Sequence, residues 1–153
     1  MHVAGKNIYL AGEQGTLYRS DDSGQTFSAL ATPYNGTYFG IFLGNDNALL
    51  LFGLRGNAFR SVDEGLHWQK IDTGLPLTLT AGLRLSSGVL ILVDETGRVL
   101  GSRDNGVSFA AMPVPQRTAF TGVAQATDGS VVLAGTRGPV LMAVETVIRD
   151  LAK

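Results

Sequence analysis

Three stretches of the chain combine a hydroxyl, a carboxylate, a glycine and an aromatic ring at fixed offsets. They are Ser20, Asp22, Gly24, Thr26 and Phe27; Ser61, Asp63, Gly65, His67 and Trp68; and Ser102, Asp104, Gly106, Ser108 and Phe109. A carboxylate among hydroxyls can serve acid–base chemistry or bind a hard cation. The pattern here is too local for either. An Asp two residues before a Gly accepts hydrogen bonds from the N–H groups of its own turn, and Ser and Thr hydroxyls can bridge the flanking strands. Each stretch falls short of the ligands of a twelve-residue calcium loop. His67 stands where the other copies have Thr26 and Ser108, so it reads as a turn residue. His2 is the only other histidine and has no spaced partner, which argues against zinc. There is no cysteine and no Gly-x-Ser-x-Gly elbow. Gly135-Thr136-Arg137-Gly138 lacks the Lys-Ser/Thr of a phosphate loop. No metal or cofactor is expected and no catalytic residue is assigned. Four arginines remain as binding candidates: Arg19 and Arg60 at one recurring place, Arg55 and Arg137 at another. Guanidinium forks suit the carboxylates and carbonyls of a protein segment.

These residues recur because the whole chain recurs. Gly12, Gly53, Asp94 and Gly135 are spaced by 41 residues, as are Gly15, Gly56, Gly97 and Gly138. Ahead of them lie apolar runs in one register: Ile8 to Ala11, Leu49 to Phe52, Leu90 to Val93 and Val131 to Ala134. Such runs are too short for helices and are bounded by turn residues, so they read as strands. Each Gly-x-x-Gly reads as a hairpin turn. The next strand covers Leu17 to Ser20, or Ala58 to Ser61. A short outer strand follows the Asp turn, and a linker leads to an inner strand near Tyr38 to Leu43, Leu79 to Leu85 and Phe120 to Ala126. Four short antiparallel strands in about 41 residues are the arithmetic of a β-propeller blade. The expected fold is all-β: one partial ring of three to four blades, with units near 1–37, 38–78, 79–119 and 120–153. The expected core is Ile8, Leu10, Leu49, Leu51, Leu90, Leu92, Val131 and Leu133, with Phe27, Trp68 and Phe109 wedged between sheets.

Composition agrees with a folded, turn-rich chain: 44% of its 153 residues are hydrophobic, and 20 are glycine. A net charge of −1, with no basic run, argues against a general nucleic-acid surface. Without cysteine there is no disulfide framework. No apolar stretch is long enough to span a membrane as a helix, and the first residues show no signal-peptide pattern. The first strand is expected at Asn7, leaving the first unit without an inner strand. A mature product or a piece of something larger would begin in this way.

The Ser-x-Asp-x-Gly turn resembles the Asp box, or BNR repeat, of sialidases and related propellers. The second unit goes further: Gly53-Leu54-Arg55-Gly56 followed by Arg60-Ser61-Val62-Asp63-Glu64-Gly65-Leu66-His67-Trp68 resembles the photosystem II stability and assembly factor-like family. The first unit keeps Arg19 but has Gln14 in the Arg55 slot, and the third has Thr96 and Gly101 in the two arginine slots. The fourth keeps Arg137 and loses the box, with Ala143, Glu145 and Val147 in place of Ser, Asp and Gly. The resemblance implies a non-enzymatic propeller whose arginines, here Arg19, Arg55, Arg60 and Arg137, hold a partner's peptide during assembly of a membrane complex. It also implies a periplasmic or other extracytoplasmic site. The alternative is a sialidase-like glycoside hydrolase, whose arginine triad and tyrosine–glutamate pair find no local match. A ring of under four blades leaves two apolar faces uncovered, so a homodimer is expected to close it, with 147–151 forming a helical or swapped junction.

Overall fold

The computed structural model describes residues 1–143. Four antiparallel sheets follow one another along the chain, each a simple meander. The first holds β1 (His2–Ala4), β2 (Asn7–Ala11), β3 (Leu17–Ser20) and β4 (Ser28–Ala29). The second holds β5 (Tyr38–Leu43), β6 (Leu49–Gly53), β7 (Ala58–Ser61) and β8 (Gln69–Ile71). The third holds β9 (Leu79–Arg84), β10 (Leu90–Asp94), β11 (Val99–Ser102) and β12 (Ala110–Met112). In the fourth, β13 (Phe120–Gln125), β14 (Val131–Gly135) and β15 (Gly138–Met142) are described. Glu145 and the 147–151 segment lie outside the described residues. No helix among the described residues is long and apolar enough to cross a membrane.

The first sheet corrects one expectation. Its inner strand is present: His2–Ala4 pairs with Asn7–Ala11 in the register His2↔Tyr9, Val3↔Ile8, Ala4↔Asn7. Gly5, at φ +61°, turns the hairpin. The strand is only three residues long and carries no apolar run, so nothing in the sequence marked it.

Three cores lie at the three seams between successive sheets. Tyr9 and Leu17 pack with Leu49, Leu51 and Phe59. Leu50, Phe52, Ala58 and Ile71 pack with Leu90, Leu92 and Leu100. Ile91, Val93, Val99 and Met112 pack with Val131, Leu133, Val140 and Met142. The strands β6 and β10 are therefore buried on both faces at every residue. This is why they read as unbroken apolar runs and not as alternation.

Among the described residues no core cluster joins the fourth sheet to the first, and the ring is open. The consequence falls on residues that the repeat treats as equivalent. Leu49, Leu51, Leu90, Leu92, Val131 and Leu133 are buried as expected, whereas Ile8 and Leu10 are only half-buried. Trp68 and Phe109 pack on their seam clusters, and Trp68 Nε1 donates to the Ala31 carbonyl at 3.1 Å. Phe27 is 44% exposed, because none of the four sheets packs on that face of the first.

The fourth hairpin also departs from the repeat. Leu92 pairs with Leu100, but Leu133 pairs with Val140, one residue earlier than a 41-residue step gives. Gly135 pairs with Gly138 around a two-residue turn, where the third sheet uses a five-residue link between Val93 and Val99. A one-residue shift exchanges the two faces of a strand. Val140 and Met142 accordingly turn inward, and Leu141 is 62% exposed.

Candidate functional site

The meander gives the molecule two ends. The β2–β3, β6–β7, β10–β11 and β14–β15 hairpins and the sheet-to-sheet linkers lie at one, the hairpin end. The Asp turns and the turns that follow the inner strands lie at the other.

At the Asp-turn end the three motifs fold alike. Ser20 Oγ donates to Asp22 Oδ1 at 2.7 Å and accepts from the Gly24 N–H at 2.8 Å. Ser61 and Ser102 repeat both contacts. The same carboxylates accept the backbone N–H of Thr26, His67 and Ser108 at 2.9–3.0 Å. Their second oxygens take the Thr26 hydroxyl, His67 Nδ1 and the Ser108 hydroxyl at 2.6, 2.6 and 2.5 Å. The hydroxyls therefore bond the carboxylate and do not bridge the flanking strands. His67 does with a ring nitrogen what Thr26 does with a hydroxyl.

These contacts fix the protonation of the turn. The Thr26 hydroxyl and N–H, with Ser20, hold Asp22 far below the usual carboxylate range. The His67 N–H and ring, with Ser61, do the same for Asp63. Burial would raise the Asp104 carboxyl, but Ser108 and Ser102 outweigh it and leave the pKa lowered. A carboxylate bonded to three donors of its own turn is a poor proton shuttle.

The residue before each glycine carries a feature that the motif did not announce. Ser23, Glu64 and Asn105 all adopt left-handed backbone, at φ +64°, +61° and +59°. This brings the turn against the preceding sheet. Arg19 reaches forward to Glu64 Oε2 at 2.6 Å, and Arg60 Nε reaches forward to the Asn105 carbonyl at 2.7 Å. Both contacts span 45 residues. Asn105 also exchanges hydrogen bonds with the Asn45 backbone, accepting at 2.7 Å and donating at 3.0 Å. Two of the four candidate arginines are thus engaged with the neighbouring sheet. In the third sheet Gly101 takes the arginine's place.

Arg55 and Arg137 sit at the opposite end of the molecule. Both are exposed, and no hydrogen bond or ion pair among the described residues engages them. Arg55 stands on left-handed backbone at φ +57°. It borders a cleft of about 500 Å³ with Lys70, Asp72, Thr73, Leu75 and Pro76. The structure therefore splits the four arginines into a seam pair and an exposed pair.

Beside that cleft lies a buried ion pair that the sequence reading missed, because Asp94 stands in a glycine slot. Asp94 is fully buried. It accepts from Arg98 Nε at 2.5 Å, and from the Arg98 N–H, the Thr96 N–H and the Thr96 hydroxyl at 2.9 Å each. Burial alone would raise its pKa, but the Arg98 and Thr96 donors prevail and lower it. Arg98 Nη1 donates onward to the Thr73 carbonyl at 3.3 Å, tying the third hairpin to the cleft wall.

A second cleft, of about 610 Å³, opens along the inner strands, lined in part by His2, Phe42, Asp46 and Arg84. Burial, the N-terminal charge and Arg84 lower the His2 pKa. Each of these two clefts holds one carboxylate, Asp72 or Asp46, whereas ordinary glycoside hydrolysis takes two facing acids. No group of three or more potential metal ligands forms among the described residues.

No protein-family model matches the chain, and no curated protein matches it. Solved structures match its fold. A structure of YCF48 bound to D1 peptide superposes with a TM-score of 0.68 at 17% identity, covering 94% of this chain and 48% of that one. An ancestral GH74 enzyme gives a TM-score of 0.78 at 14% identity, covering 93% of this chain and 21% of that one. The GH74 xyloglucanase from Xanthomonas campestris gives 0.68 at 23% identity, covering 93% and 27%. The chain thus spans about half of the YCF48 chain and a smaller share of the GH74 enzymes. At these identities the likeness is one of fold, and that fold serves both non-enzymatic and enzymatic proteins.

Proposed function

We propose that this chain is a non-enzymatic propeller scaffold that binds a protein segment at its hairpin end. The observation that carries the reading is the division of labour among its charged groups. The Asp-turn carboxylates are saturated by their own turns, and Arg19 and Arg60 hold seams together. Arg55 stands exposed beside Lys70 at the mouth of a cleft, with Arg137 at the same end. An extended acidic or carbonyl-rich segment is the chemistry these cations fit. The YCF48 structure, solved with a peptide bound, supports the class of ligand. A membrane-complex subunit as the source of that segment, in an extracytoplasmic compartment, rests on the family resemblance.

A panel of immobilised acidic peptides tests the reading. Saturable, salt-sensitive binding is expected, weakened at least tenfold by Arg55→Glu and left unchanged by Arg19→Gln, which changes only a seam. Equal weakening by both variants would overturn the hairpin-end assignment. The fold likeness to GH74 enzymes favours glycoside hydrolysis as the second reading. Xyloglucan and sialoside turnover above background, abolished by substituting one carboxylate, would replace the first reading with the second.

A further inference from the structure

We infer that the outer face of the first sheet is an interface, and that its occupant is the fourth sheet of a second copy of this chain. The inference is independent of the proposed function. Ile8, Leu10, Tyr18 and Phe27 recur at 41-residue steps as Leu49, Leu51, Phe59 and Trp68, and again as Leu90, Leu92, Leu100 and Phe109. In the second and third sheets these residues pack against the sheet before them. In the first sheet the same set faces outward, with Tyr18 41% and Phe27 44% exposed. A face of this composition is a seam half without its partner.

What fits it is the outward face of a sheet with the same repeat geometry. The fourth sheet has such a face. Val131 and Leu133 point into the last core, so strand alternation places Val132 and Ala134 on the other side, joined by Leu141, which pairs with Val132. Leu141 is exposed there. The one-residue shift of the fourth hairpin is what puts a leucine on this face. The chain covers 48% of the YCF48 propeller on which it superposes, so two copies supply the length of one such propeller. Two chains of four sheets each make eight blades, within the usual range of closed propellers. A twofold axis then forms two identical seams and leaves neither end bare.

Light scattering on the unsubstituted chain reads the stoichiometry, with about 32 kDa expected, twice the 16.1 kDa of one chain. A 16.1 kDa particle at micromolar concentration would overturn the inference. Because the chain has no cysteine, Tyr18→Cys and Leu141→Cys report the faces directly. Both sites are exposed, so neither substitution disturbs a core. Oxidation should give a covalent dimer from the double variant and from a mixture of the two single variants. Neither single variant alone should cross-link. Cross-linking of Tyr18→Cys alone, as strong as in the mixture, would instead show first sheet against first sheet and refute the head-to-tail ring.

Discussion

The third hairpin gives a prediction whose size follows from its contacts. Replacing Arg98 with Met keeps the aliphatic stem and removes the guanidinium. Asp94 stays fully buried, and its Oδ1 keeps three donors: the Thr96 N–H, the Thr96 hydroxyl and the Arg98 N–H. Its Oδ2 loses the Arg98 Nε bond of 2.5 Å. Breaking a buried pair costs about 3–5 kcal/mol when the remaining charge is stranded, and a charge-assisted hydrogen bond is worth about 1.5–3 kcal/mol. With three donors retained, the lower figure governs, and Arg98→Met should cost about 2–3 kcal/mol. Asp94→Gly leaves the guanidinium with only the Thr73 carbonyl and should cost a similar amount. The double variant Asp94→Gly, Arg98→Asn installs the residues that the second sheet carries at Gly53 and Asn57, where Asn57 Nδ2 bonds the Leu54 carbonyl at 2.9 Å. It should lie within about 1 kcal/mol of the parent; with Arg98→Asn as the matching single variant, costing about as much as Arg98→Met, the cycle gives a coupling of about 3–5 kcal/mol. Urea unfolding followed by the fluorescence of Trp68, the only tryptophan, reads each value from the midpoint at constant slope. Additive single effects, with coupling below about 0.5 kcal/mol, would show that Asp94 and Arg98 do not act as a pair.

Acid should destabilise the fold in a defined direction. Asp22, Asp63, Asp94 and Asp104 have folded pKa values below their ordinary ones, so the unfolded chain binds protons more readily. Their stabilisation is present above about pH 4 and is lost as pH falls through the depressed values. The lowered pKa of His2 adds a smaller fall of the same sign, beginning near pH 6.5. A melting temperature that rises on acidification would contradict this. Truncating Trp68 to Ala should cost about 3 kcal/mol, the low end for a large aromatic because the ring is only partly buried. Phe27→Ala should cost under about 1 kcal/mol in dilute solution, and more as concentration closes the ring; equal costs in dilute urea melts would refute the open first face. Gly106→Ala sets a Cβ 2.6 Å from Leu50 Cδ1 on backbone at φ +81° and should cost about 2–4 kcal/mol. Gly24→Ala, whose Cβ meets Ile8 Cδ1 at 3.2 Å, should cost about half that in the same melts.

How much of this was legible depended on whether a residue's role is set by its own unit or by the next. The strands β6 and β10 were legible because burial on both faces makes Leu49 to Phe52 and Leu90 to Val93 continuously apolar. The Asp turns were legible because their bonds close within five residues, from Ser20 to Gly24 and Asp22 to Thr26. The inner strand at His2–Ala4 was hidden by its brevity. Phe27 and Trp68 look equivalent in sequence, and only the presence or absence of a preceding sheet separates them. The arginines show the same limit more sharply. Arg19 and Arg60 form a periodic pair, which suggested a shared binding surface. Their partners, Glu64 and Asn105, lie one repeat plus four residues on, where left-handed backbone turns the motif back onto the previous sheet. Periodicity is therefore blind to function in a stacked repeat: a side chain that grips the next unit recurs as faithfully as one that lines a binding surface. Counting does not separate the two pairs, because each slot holds arginine in two of the four units. What separates them is the fold: Arg19 and Arg60 reach the next sheet, whereas Arg55 and Arg137 stand at hairpin tips, where stacking demands nothing of a side chain.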